Sequence, residues 1–154
     1  MKPRTRARSL ALQALYELDL TEHAPGAVLQ HRMLDYDLDD KVADFARRLV
    51  LGVLPLRKQL DAYIAEHAPE WPIDQISIVD RNLLRIAMWE FAVSGETPVK
   101  VAINEAVELA KRFGSDSAPR FVNGVLGSLA ERQQEIKLAF AEAAELAAQE
   151  ESAS

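Results

Sequence analysis

The chain has no cysteine, which excludes disulfide bonds and thiol chemistry and fits a reducing, cytoplasmic location. No apolar run approaches the roughly 20 residues of a membrane-spanning helix. The arginines near the N-terminus are not followed by an apolar stretch and a small-residue cleavage site, so we expect no signal peptide. With 154 residues, of which 49% are hydrophobic, the chain is long enough for one domain with its own core.

Motifs of catalysis are also missing. The sequence contains no glycine-rich phosphate loop, no dinucleotide-binding fingerprint and no nucleophile elbow. His23, His31 and His67 are not spaced as a metal-binding pair and have no nucleophile beside them, so we assign them surface or capping roles. We therefore predict no catalytic residue, no cofactor and no metal.

One acidic cluster resembles part of a calcium-binding loop. Asp35, Asp37 and Asp39 occupy its first three ligand positions. Asp40 replaces the glycine that the sharp turn needs, and Ala46 stands where a bidentate glutamate should be. We therefore interpret the cluster as a solvated acidic turn that caps the next helix.

Positive charge is scarce and unevenly placed. The net charge is −6, yet residues 1–8 contain four cations and no acid. Residues 131–154 contain six acids and two cations. Because the overall field repels polyanions, a nucleic acid has to bind at a local cationic site.

The spacing of apolar residues predicts an all-α fold, a compact single-domain bundle of about six helices. The predicted helices cover about 5–20, 27–34, 39–66, 78–93, 98–113 and 118–134. We expect Pro55 to kink the third helix near Gly52. Thr97 is the expected cap of the fifth helix, and Gly114 suits its C′ position. The domain is predicted to span 1–134, followed by an acidic Ala/Glu-rich tail, 135–154, that frays as a helix.

The junction between the last two predicted helices places cations beside aromatic rings. Lys111, Phe113, Gly114, Arg120 and Phe121 flank a short loop. Single-stranded nucleic acid needs this combination, since cations contact phosphates and rings stack on bases. Free N–H groups at the start of the following helix would add an anion site. The alternative is that both phenylalanines close the core at helix ends.

The basic N-terminus is a second candidate. Arg4 and Arg8 share one helix face, while Arg6 points elsewhere, so the group could follow a flexible strand. A basic terminus without a ligand is the alternative. Glu90 falls on the inner face of the fourth helix, where a carboxylate needs a partner, and we expect a structural ion pair there.

Three blocks of the sequence resemble the NusB family of bacterial transcription antitermination factors. The blocks are Arg6–Tyr16, Leu84–Glu90, and Lys100–Lys111 together with Phe121–Leu126. The resemblance covers roughly residues 3–130, and its last block is the most specific.

This resemblance implies a non-enzymatic role. It implies that the protein, with the ribosomal protein NusE, binds the boxA element of nascent rRNA transcripts and helps assemble an antitermination complex on RNA polymerase. The family's RNA surface maps onto Arg4, Arg6, Arg8, Lys111, Phe113, Gly114, Arg120 and Phe121. Because NusE is basic, Asp74 and Asp80 are the expected partner contacts, and a homodimer is possible. Two alternatives stay open: a protein scaffold without RNA binding, and an accessory domain related to the N-terminal domain of rRNA cytosine methyltransferases.

Overall fold

The computed structural model describes residues 1–153 and contains eight α-helices and no strand over that range. The helices are α1 (Pro3–Leu20), α2 (Pro25–Met33), α3 (Asp40–Val53), α4 (Arg57–His67), α5 (Ile78–Met88), α6 (Val99–Phe113), α7 (Ala118–Ala130) and α8 (Gln133–Ala153). The predicted all-α fold is confirmed. None of these helices is long and apolar enough to cross a membrane.

The predicted third helix is two helices. A 3₁₀ turn, Leu54–Leu56, separates α3 from α4, because Pro55 has no N–H to continue the α-helical ladder. Asp39 caps α3 as expected, accepting a hydrogen bond from the Val42 amide at 3.0 Å. At Gly52, the Trp89 ring packs so close that an added Cβ would lie 2.4 Å from it.

Helix α5 lies at the centre of the bundle and packs against α1, α4, α6 and α7. Its inner residues are almost fully buried, among them Leu83, Leu84 and Met88. A π-helical turn, Trp89–Val93, continues the chain directly from α5 and places Glu90 inside the protein.

Two predicted helix boundaries of α6 differ from the structure. Pro98, not Thr97, is the N-cap, because the Thr97 hydroxyl donates instead to Glu90 Oε1 at 2.8 Å. Gly114 ends α6 in an extended conformation, not in the left-handed one of a C′ glycine. The reason for a glycine is close packing: an added Cβ would lie 2.6 Å from the Ala118 Cβ.

The predicted tail begins as part of the packed body. Ile136 and Phe140 of α8 are buried in the core, and the Gln133 side chain donates to the Phe91 carbonyl. From residue 141 to 153 the helix is exposed throughout, which matches the low content of large apolar residues there.

Candidate nucleic-acid interface

The N-terminal arginines have three different environments. Arg8, which we expected to contact RNA, is only 3% exposed. Its guanidinium donates to both carboxylate oxygens of Glu90, at 2.9 and 2.7 Å. This bidentate pair is the partner predicted for Glu90. It leaves Arg8 no surface from which to reach a phosphate, so we assign Arg8 a structural role.

Arg4 and Arg6 lie nearer the surface. The Arg4 side chain is exposed, and its guanidinium stacks 4.4 Å from the centre of the Phe45 ring. The half-buried Arg6 lies over Tyr36 and donates to the Asp37 carbonyl at 3.2 Å. A cation stacked on a ring keeps outward N–H groups for a phosphate, so Arg4 is the better candidate of the two.

The α6–α7 junction exposes its cations and half-buries its rings. Lys111 and Arg120 are exposed, whereas Phe113 and Phe121 are half-buried and pack against the core. Lys111 also pairs with Glu108 at 3.1 Å. Both phenylalanines thus help to close the core, and each keeps part of its surface accessible to a ligand.

A cavity of about 350 Å³ opens beside the start of α7. It is lined by Trp71, Gln75, Ile76, Ser77, Asp80, Ser117, Arg120 and Phe121. A neighbouring hollow of about 270 Å³ shares three of these residues, Trp71, Arg120 and Phe121. The two hollows together present the Arg120 guanidinium and the rings of Trp71, Phe121 and His67 to a ligand. The acidic residues Asp80 and Glu70 also lie in their walls.

Trp71 is a candidate that sequence reasoning missed. It lies in the loop before α5 and is 51% exposed. A large exposed ring between two prolines, Pro69 and Pro72, was the available signal, because rigid loops hold binding side chains in place. Only the tertiary structure shows that this loop faces Arg120 and Phe121.

A second groove, of about 450 Å³, joins the N-terminus to α6. It is lined by Met1, Lys2, Thr5, Glu105, Glu108, Leu109, Lys111 and Arg112. The structure therefore brings the basic N-terminus and Lys111 together, although they are far apart in sequence. Arg112, which also flanks the loop in sequence but was not among the predicted RNA contacts, adds a further cation.

The two predicted partner contacts differ in exposure. Asp74 is exposed on a 3₁₀ turn, Ile73–Gln75. Asp80 is only 8% exposed, and its Oδ1 has no hydrogen-bond partner. Burial raises the pKa of Asp80, an effect that the Ser77 hydroxyl partly offsets. Asp80 thus lies in the wall of the 350 Å³ cavity and offers little surface to a protein partner.

Two of the three histidines and the acidic turn have structural contacts, while His31 lies exposed on α2. His23 bonds to Glu17, and His67 bonds to Ser128. Asp39 caps α3. Across residues 1–153, no group of three His, Asp or Glu side chains is arranged to hold a metal ion.

The chain is similar to known proteins over most of its length. A model described as the NusB family matches residues 5–131. The transcription antitermination protein NusB of Chloroflexus aggregans is 50% identical over 131 residues, which are 84% of this chain and 87% of that protein. The Bacillus subtilis protein of the same name is 46% identical over 129 residues, covering 84% and 95% of the two chains.

Solved structures show the same similarity. A NusB structure from T. maritima superposes with a TM-score of 0.78 at 30% identity, covering 88% of this chain and 97% of that one. A crystal structure of the antitermination factors NusB and NusE in complex with double-stranded RNA gives a TM-score of 0.75 at 26% identity. It covers 90% of this chain and 98% of the matched chain.

Proposed function

The chain belongs to the NusB family, and we propose that it acts as an RNA-binding transcription antitermination factor with no catalysis of its own. The observation that carries the proposal is the cavity where Arg120, Trp71 and Phe121 meet. One cation and two ring faces suit a phosphate and adjacent unpaired bases. The groove lined by Lys2, Lys111 and Arg112 extends the cationic surface.

The proposed ligand is the single-stranded boxA element of a nascent rRNA transcript. We propose contacts from Arg4, Lys111, Arg120 and Phe121. We also propose Lys2, Arg112 and Trp71, because they line the same groove and cavity. Arg6 and Phe113 would contribute less, because each is half-buried against its own neighbours. Gly114 would contribute through its backbone, since it lacks a side chain.

NusE is the proposed protein partner. The net charge of −6 suits a basic ribosomal protein, and a solved complex contains NusB with NusE and RNA. Asp74 is the better placed of the two predicted contacts, because it is exposed. With NusE and RNA bound, the protein would join the antitermination complex on RNA polymerase in the cytoplasm.

The alternatives have less support. The chain covers 87% and 95% of the relatives from C. aggregans and B. subtilis, so these relatives are not large enzymes with a NusB-like extension. The length of these relatives does not favour the hypothesis that the chain is an accessory domain of an rRNA methyltransferase. The proposed RNA-binding domain extends beyond the predicted end at residue 134 to about residue 140, because Ile136 and Phe140 pack in its core. Homodimer formation is a proposal that light scattering tests directly.

A titration of labelled boxA RNA, with and without NusE, tests the function. Three to five phosphate contacts on single-stranded RNA predict a slope of about −2 to −3.5 in log K against log salt. We expect weak binding by the protein alone and tighter binding with NusE. Equal affinity in both titrations would rule out cooperative RNA binding with NusE. A flat salt dependence would favour the scaffold without RNA binding.

Variants of the two rings test the cavity. Trp71→Ala should weaken RNA binding by about 5- to 150-fold, since a stacked base contributes about 1–3 kcal/mol. Leu51→Ala on α3 is a matched control, because Leu51 is 52% exposed and Trp71 is 51% exposed. Phe121→Ala should have a similar effect on RNA. A large loss of melting temperature for Phe121→Ala would instead assign that ring to the core.

A further inference from the structure

The first turn of α1 lacks the groups that usually stabilise a helix start. Lys2, at the N-cap, makes no side-chain capping bond, and the first turn contains no acidic residue. The free N–H groups and the helix dipole make this end positive. Lys2, Arg4 and Arg6 add more positive charge. Pro3 at the first helical position favours the helix start, and an anion from elsewhere in the fold would stabilise its positive end further.

Glu105 of α6 is that anion. Its Oε2 accepts a hydrogen bond from the Thr5 hydroxyl at 2.9 Å. Its Oε1 lies 3.6 Å from Nη1 of Arg8. The Nε and Nη2 groups of Arg8 donate to Glu90. The Glu105 side chain is 19% exposed. One carboxylate therefore ties two consecutive turns of α1 to α6.

Glu105 also lies in the wall of the 450 Å³ groove, beside Lys2, Lys111 and Arg112. A carboxylate in a groove that binds a polyanion is unfavourable by charge alone. Glu108 lies in the same wall, but it is 63% exposed and its ion pair is with Lys111, one turn away. Both glutamates therefore line the groove, but Glu105 contacts Thr5 and Arg8 of α1, whereas Glu108 pairs with Lys111 of its own helix.

We propose that Glu105 is a positioning residue for RNA binding: it holds the first turns of α1 so that Lys2 faces Lys111 and Arg112 across the groove. This inference rests on the proposed RNA-binding function. It predicts that removing this negative charge weakens the binding of RNA, whereas simple charge repulsion predicts the opposite sign.

The decisive comparison is Glu105→Ala against Glu108→Ala, with labelled boxA RNA and NusE present. We expect Glu105→Ala to weaken binding by about 3- to 10-fold, as when the binding-competent conformation becomes a minor population. Glu108→Ala should bind about 1.5- to 5-fold more tightly, since it frees Lys111 from an exposed ion pair. Glu105→Gln, which keeps an acceptor for Thr5, should bind more tightly than Glu105→Ala.

A double-mutant cycle separates positioning from direct contact. Thr5 also lines the groove, so its hydroxyl has to be tested as a possible RNA ligand. If Glu105 acts through Thr5, Thr5→Val combined with Glu105→Ala should bind RNA within about twofold of Glu105→Ala alone. Additive losses would overturn the proposed coupling.

Hydrogen exchange in the free protein tests the contact without RNA. Glu105→Ala should speed amide exchange at residues 6–9 of α1, and Glu108→Ala should not. Unchanged exchange in Glu105→Ala, or RNA binding as tight as that of the wild type, would overturn the inference. If the wild type binds no RNA, the proposed function fails, and the exchange data still report whether Glu105 holds α1.

Discussion

Removing the guanidinium of Arg8 should lower the free energy of unfolding of the protein. The Arg8 and Glu90 side chains are 4% and 1% exposed. Arg8→Met would leave the Glu90 carboxylate buried, with Thr97 as its remaining hydrogen-bond donor. Breaking one side of a buried ion pair costs about 3–5 kcal/mol. At about 2–4 °C per kcal/mol for a chain of this size, the melting temperature should fall by about 6–20 °C.

The control variants make this prediction specific. Arg4→Met removes an exposed guanidinium stacked on Phe45, so it should cost less than about 1 kcal/mol while still weakening RNA binding. Arg8→Met/Glu90→Leu removes both charges and should recover part of the lost stability, because an apolar pair can replace a buried ion pair at little cost. The recovery should be incomplete, because the buried Thr97 hydroxyl loses its Glu90 acceptor.

Thermal melts by circular dichroism, followed by RNA titration of the folded protein, check the Arg8 prediction. The sequence alone suggests that Arg8→Ala weakens RNA binding without unfolding. If Arg8→Met melts within a few degrees of the wild type and binds RNA more weakly, the structural assignment of Arg8 is refuted.

Two further predictions concern Asp80 and α8. Because burial raises the pKa of Asp80 above its ordinary 3.8, its contribution to stability is greatest below the unfolded pKa and is lost as pH rises through the folded pKa. Asp80→Asn should therefore be more stable than the wild type at neutral pH, by an amount that shrinks toward pH 4; urea midpoints that do not differ at any pH would contradict this. Ending the chain after residue 141 should change stability by less than about 1 kcal/mol. Ending it after residue 132 removes buried Ile136 and Phe140 and should cost about 3–6 kcal/mol.

Local sequence rules determined the helical content and most helix ends. The apolar spacing within each helix, the Asp39 cap and the effect of Pro55 depend on residues within one or two turns of each other. The same rules failed at Thr97 and Gly114. Thr97 bonds to Glu90 and not to the helix it precedes. Gly114 is required by the nearby Ala118 and not by its backbone angles.

Some residues of the candidate site could be predicted from the sequence, and others only from the tertiary structure. Lys111, Arg120 and Phe121 were predictable because cations and rings adjoin one short loop. The roles of Arg4 and Arg8 were not, since the two residues are one helical turn apart on the same face of α1. Arg8 meets Glu90 across 82 positions of sequence, whereas Arg4 remains exposed.

The sequence by itself therefore determined that the chain forms helices and places charged and aromatic groups where RNA could bind. Only the tertiary structure decided which arginine is buried, which loop brings Trp71 beside Phe121, and which glutamate faces Thr5. The physical reason is how far apart in sequence the interacting groups lie. Helix formation depends on neighbours along the chain, while burial and ion pairing depend on groups that meet only after the helices have packed.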